Sequence, residues 1–241
     1  METSEPTMER YRHLRAIQRS LVQQMLKTLS KRAIDETARR LGFRMKGRVI
    51  LDEHGELDVC LDSAVYDYLV DGQNAVGRFA ARHKPEGDER AVLVAMLDSC
   101  PTVIEIQERL PGRGARVLDV LAAVDRIVSD DGLSTTAEPG LCLVARLLEI
   151  DGIVMTSGAP GWVPPAVADM LRLASPLEPK RWSRSQRAVV GSLLCRLTLT
   201  DTNESAKETL VAFILHGTGP LAEALRAAIA KRESGIASVR R

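Results

Sequence analysis

The stretch Ser129–Gly158, SDDGLSTTAEPGLCLVARLLEIDGIVMTSG, decides which fold this chain adopts. Asp130, Asp131 and Ser134 have the residue types of a catalytic loop, whereas the Asp-Gly, Pro-Gly and Ser-Gly pairs around them are the turns of a small sheet. Asp-Gly supplies positive φ and local side-chain to backbone bonds, which turns need. Leu133, Thr135 and Ala137 alternate with Ser134 and Thr136 as a strand would, and Leu141–Leu148 and Gly152–Thr156 read as two more, although CLVARLL would also suit a helix. No histidine lies between His83 and His216 to activate Ser134, which favours turns over catalysis.

Working outward, the segment before this stretch has the same texture. VIEIQERL from Val103, the P-G-R-G turn, ARVLDVL from Ala115 and the run Arg126–Val128 are short apolar runs between turns. Together they predict a small antiparallel sheet or partly closed barrel over residues 101–165. The flanks change period. Leu14, Ile17, Leu21, Met25, Leu29, Ile34, Ala38 and Leu41 predict one long amphipathic helix, or two joined near Ser30, with Gly42 as the C-terminal cap. Alternating Val49, Leu51, Leu57, Val59 and Leu61 around D-E-H-G-E predict a β-hairpin over residues 47–62. Ser63–Arg82 returns to helical spacing, with Ser63 as N-cap and Gly72 as a weak point. Glu89–Ser99 is a short helix stopped by Pro101. After Pro165, helices are predicted from Ala166, Ser185, Ser205 and Pro220, with the last nine residues frayed. The fold class is α+β: a helical region with a hairpin (1–100), a β-rich module (101–165) and a helical C-terminal region (166–241).

Composition bounds the function. Of 241 residues 45% are hydrophobic and only 3% aromatic, so the core must be aliphatic. No run approaches the ~18 apolar residues of a membrane helix, and the start lacks a secretory pattern. Cys60, Cys100, Cys142 and Cys195 are far apart with no C-x-x-C pair, as expected of reduced thiols in a cytoplasmic protein. The net charge of +1 hides an uneven layout: residues 1–50 carry 12 Lys/Arg against 5 Asp/Glu and residues 171–241 carry 12 against 6, while residues 51–110 carry 5 against 13. Basic ends and an acidic middle suit either a polyanion-binding surface or complementary faces that pack on each other.

Two clusters carry the polyanion reading: Arg39, Arg40, Arg44, Lys46 and Arg48, and KRWSRSQR, where Lys180, Arg181, Arg184 and Arg187 flank Trp182. Cations around an aromatic can hold phosphates while a base stacks; the alternative for each cluster is a solvated helix end or a linker whose Trp anchors in the core. IDETARRLGF from Ile34 sounds like the first helix of a helix-turn-helix, but a strand-like segment follows it. Asp52, Glu53, His54, Glu56 and Asp58 lack a calcium-loop register, and HGTGP before the last helix lacks a phosphate-loop lysine. Neither a metal nor a cofactor is expected.

GRGARVLDVL, LSTTAEPG, LVARLL and IVMTSG with a proline soon after, within residues 103–164, resemble the β-rich segment of uncharacterised bacterial proteins that carry a SEC-C zinc-binding tail. The SEC-C cysteines are absent, so the resemblance implies a small β-module with helical flanks and no zinc site.

The expected function is that of a binding or adaptor protein, contacting nucleic acid through the basic ends or another protein, and no membrane. The alternative is a hydrolase or transferase assembled from distant residues near the 129–136 loop. The stripe from Leu14 to Leu29 calls for a cover: the helices of residues 185–232 in a monomer, or a second copy in a homodimer.

Overall fold

The computed structural model of the protein describes residues 5–43, 54–158, 161–200 and 202–239. The first helical stretch divides at Ser30, as the spacing allows: α1 is Glu5–Leu26 and α2 is Lys31–Leu41. The Ser30 hydroxyl accepts from Ala33 N (3.1 Å), and Gly42 (φ 93°) ends α2 in the left-handed conformation that glycine adopts without strain.

The expected hairpin fails where it can be seen. Residues 47–53 lie outside the described residues, and His54–Tyr66 is a helix, α3. Val59, Cys60, Ser63 and Ala64 are buried at helical spacing, Val65, Tyr66 and, just beyond the end, Asp67 are buried too, whereas Leu57 is 41% exposed. The alternation of Leu57, Val59 and Leu61 was coincidental. Ser63, expected as an N-cap, is buried inside α3. The chain then breaks around Gly72 (φ 75°), as expected, before α4 (Ala75–Arg82) and α5 (Gly87–Asp98).

α5 ends at Asp98 with Ser99 as its C-cap, and Pro101 is already part of β1 (Cys100–Leu110). β1, β2 (Gly114–Asp119) and β3 (Val124–Ser129) form an antiparallel meander. The predicted strand at 133–137 is instead a single helical turn, α6 (Leu133–Thr136). β4 (Cys142–Ile150) and β5 (Ile153–Thr156) form a hairpin, and the two-residue β6 (Gly161–Trp162) continues along β4. β1 pairs with β4, and β3 meets β5 in parallel at Val128 and Val154, so the order β1-β2-β3-β5-β4 closes on itself. A five-stranded closed barrel of this order, with a helix between its third and fourth strands, has OB-type topology. At the meander's tightest point, Gly114 (φ 140°) lies so close to β3 that a Cβ would fall 1.9 Å from the Val128 carbonyl oxygen.

The C-terminal region comprises α7 (Pro165–Arg172), a 3-10 turn (Pro179–Arg181), α8 (Arg184–Thr198), α9 (Asn203–His216) and α10 (Pro220–Val239). α10 runs through most of the segment expected to fray. Together these elements make an α+β protein with a barrel between helical ends.

Both faces of β1 and β4 are buried. Ile104, Leu143 and Ala145 fill the barrel, while Val103, Cys142 and Val144 pack against α7 and α8 in a second core. This double burial explains why CLVARLL reads as a continuous apolar run. A third core holds the α1 stripe: Leu14, Leu21 and Met25 pack with residues of α3, α4 and α5 and with Leu148, Ile150 and Met155. The stripe is covered internally, though by these elements rather than by residues 185–232. The sequence pattern located the stripe but carried no signal for which apolar face would meet it.

Candidate functional site

The acids and hydroxyls of the 129–136 loop hold that turn together. Asp130 Oδ1 accepts from Leu133 N (2.9 Å), and Ser134 Oγ donates to the Asp131 carbonyl (2.8 Å). Thr135 and Thr136 donate to the Gly132 carbonyl, and Asp131 pairs with Arg12 of α1 at 3.0 Å. Such back-bonding by short polar side chains is what turned the expected strand into α6. The small pocket beside the loop, about 330 Å3, is lined by Arg12, Arg15, Arg19 and Asp130, and no histidine lines it. Among the described residues no cluster of three or more His, Cys, Asp or Glu has metal-binding geometry.

The most heavily buried charges lie elsewhere. Arg146 points from β4 away from the barrel and donates from Nη2 to Asp67 Oδ1 at 2.6 Å, with side chains only 6% and 2% exposed. Asp67 also accepts from Ser63 Oγ at 3.3 Å, and the Arg146 guanidinium lies 4.5 Å from the centre of the Tyr66 ring. Burial pushes the Asp67 carboxyl up to about 6 despite Arg146. The carboxylate is pressed against α8 at Gly191, where a Cβ would stand 2.5 Å from both of its oxygens. The node therefore fastens α3, β4 and α8 together. Nearby Cys60 and Cys195 are free thiols held protonated by burial, Cys60 at about 11.

The cations singled out in the sequence separate into three groups. Arg44, Lys46 and Arg48 lie outside the described residues. In the second cluster, Lys180 pairs with Glu149 (3.2 Å) and Arg181 with Glu178 (2.5 Å). Arg187 donates to the carbonyls of Lys180, Trp182 and Leu97, bracing the chain before α8. Trp182 is 8% exposed and packs in the C-terminal core, so its ring offers no free face to a base. Arg184 lies against the first turn of α4, 3.2 Å from where a Gly77 Cβ would stand. The third group, Arg39 and Arg40, ends α2. Arg40 approaches the Asp67 carbonyl (3.5 Å) and the Tyr68 ring (5.8 Å) and makes no ion pair among the described residues.

Two grooves of ligand size flank these groups. The larger, about 1010 Å3, runs between α5, the barrel turns at 119–124 and 149–154, and the segment 176–181. Its walls include Val94, Val124 and Leu177, and Arg126 is matched in place between Asp119 (3.5 Å) and Glu149 (3.8 Å). The second, about 710 Å3, lies between α8 and α9 beside the ends of α2 and α3. Val189, Leu193, Ala212 and Phe213 give it an apolar floor, and Arg40, Arg196 and His216 stand around it. Asp67 is its one acidic lining residue, and that carboxylate is already committed to Arg146. Arg196, from the last turn of α8, reaches within 3.8 Å of the position a Cβ would take on Gly42, beside the C-terminus of α2. The two basic ends of the chain thus meet at this groove.

Sequence reasoning singled out Arg40 but not Arg196 or Val189. Their signal was present in α8, where an exposed valine and arginine seven residues apart share a face. HGTGP folds as a helix stop and start: Gly217 N donates to Phe213 O (2.7 Å) and Arg226 donates to the carbonyls of Ile214 and Gly217.

A family model described as a family of unknown function (DUF7986) matches residues 5–185, three-quarters of the chain. The chain belongs to that family. No curated protein and no solved structure matches it. The match says nothing of SEC-C proteins. It spans the whole of the larger groove, whereas the α8–α9 groove is built mostly from residues beyond it.

Proposed function

We propose that this member of the family is a cytoplasmic binding or adaptor protein whose anionic partner docks where the basic ends of the chain meet. One observation carries the reading: Arg40 and Arg196, from opposite ends of the sequence, stand over one apolar groove and make no ion pair among the described residues. The commitment of Ser134, Asp130 and Asp131 to the α6 turn weighs against a hydrolase or transferase at that loop. The barrel face is a poor nucleic-acid platform, because residues 100–156 contain no aromatic and carry 5 Lys/Arg against 9 Asp/Glu. A nucleic-acid contact is therefore assigned to the α2–α8 face.

Binding of labelled polyglutamate and random-sequence duplex DNA at low salt tests this. We expect at least one to bind, with affinity that falls as salt rises. Arg40→Glu with Arg196→Glu should abolish binding. If neither polyanion binds at low salt, or both bind the double variant equally well, the docking face is wrong.

A further inference from the structure

We propose, building on that docking reading, that the α8–α9 groove receives an acidic amphipathic helix from a partner protein. The groove runs between two neighbouring helices, the geometry into which a third helix lays its apolar face. Its floor of Val189, Leu193, Ala212 and Phe213 is aliphatic and aromatic, suited to apolar side chains recurring every three or four residues. Val189 is 45% exposed. The apolar surface continues outward along α9, where Val211 and Leu215, four residues apart, are 43% and 65% exposed. They lie one residue before Ala212 and His216, which line the groove.

Charge selects the sequence of the visitor. Around the apolar floor stand His216 and two arginines that make no ion pair among the described residues, and no uncommitted carboxylate among those residues lines it. A basic helix would meet like charge on its polar flanks, whereas glutamates placed beside the apolar stripe on the α2 side would meet Arg40 and Arg196. Complementarity of this kind governs encounter rate and register, while the apolar anchors supply most of the affinity.

Fluorescence anisotropy with a labelled leucine–glutamate amphipathic helical peptide, its leucine–lysine counterpart and random-sequence duplex DNA tests the assignment. The leucine–glutamate peptide should bind. Val189→Asp, and Arg40→Glu with Arg196→Glu, should each weaken it by about tenfold or more, while Arg40→Lys should keep most of the affinity. All three changes are at surface positions, and circular dichroism verifies that the variants fold. Equal binding of the leucine–lysine peptide overturns the charge argument. Binding of DNA alone, lost in the arginine variant, overturns the helix assignment yet leaves the docking face standing. Binding of no probe removes both. A dimer by light scattering that Val189→Asp dissociates would make the occupant a second copy and overturn the partner.

Discussion

Replacing Gly191 by alanine should destabilise the protein, although alanine is the better helix former. In an exposed helix the change gains ~1 kcal/mol. Here the new methyl would stand 2.5 Å from both carboxylate oxygens of Asp67 and 2.6 Å from its Cγ, well inside van der Waals contact. The carboxylate must retreat by about an ångström, and it cannot do so while keeping the 2.6 Å bond to Arg146. Stranding a buried charge costs ~3–5 kcal/mol, so the net loss is ~2–4 kcal/mol. For a chain of this size that lowers the melting temperature by roughly 5–15 °C. The sign should reverse in a background with Asp67→Ala and Arg146→Met, where nothing opposes the methyl and Gly191→Ala should stabilise by ~1 kcal/mol. Urea unfolding of the four proteins at neutral pH measures both effects. Stabilisation by Gly191→Ala in the wild-type background would refute the claim that this glycine exists to admit the carboxylate.

Three other outcomes follow from the same packing. The folded Asp67 carboxyl keeps its proton up to about pH 6, above its ordinary value of 3.8. Its contribution to stability is therefore full below pH 4 and lost as pH rises through 6, at up to ~1.4 kcal/mol per pH unit. Lowering the pH from 7 to 5 should raise the urea midpoint of the wild type relative to Asp67→Asn, and parallel pH curves would contradict this. Gly114→Ala should cost ~4 kcal/mol or more, because the added methyl meets the β3 backbone rather than a side chain, and a soluble variant with a near-native melting temperature would count against the barrel's closure there. Leu21→Asp should lower stability by ~3–5 kcal/mol because Leu21 is 1% exposed inside the core; a variant that keeps its stability and merely halves its mass in light scattering would show the α1 stripe to be an interface.

The helices with clean apolar spacing and caps, α1, α2 and α7 to α10, were legible in the sequence, as were the barrel strands between glycine turns. The readings that failed share a cause. Leu57, Val59 and Leu61 show period two only when Cys60 is assumed to face water, whereas Cys60 is fully buried and Leu57 is exposed. Likewise Leu133, Thr135 and Ala137 alternate with Ser134 and Thr136, but the hydroxyls of Ser134, Thr135 and Thr136 bond to nearby backbone carbonyls and select a helical turn. The candidate site was half legible, because Arg40 belongs to a visible run whereas Arg196 gains its meaning only when α8 is laid beside α2. Trp182 was open to two readings, a ring exposed among cations or a core anchor in a linker, and the fold uses it as an anchor for the chain entering α8.

The parallel seam that completes the barrel has a mechanical consequence. Four of the five junctions are antiparallel ladders of at least four residue pairs, while β3 and β5 are joined at the single pair Val128 and Val154. A ring fails at its weakest join, so when the barrel breathes it should open along this line first. Backbone amides on the facing halves of β3 and β5 should then exchange with solvent ahead of those in β1 and β4, which are buried on both faces. Val124 and Val154, on the two lips of the seam, also line the larger groove, so whatever lodges there bears on how readily the ring parts.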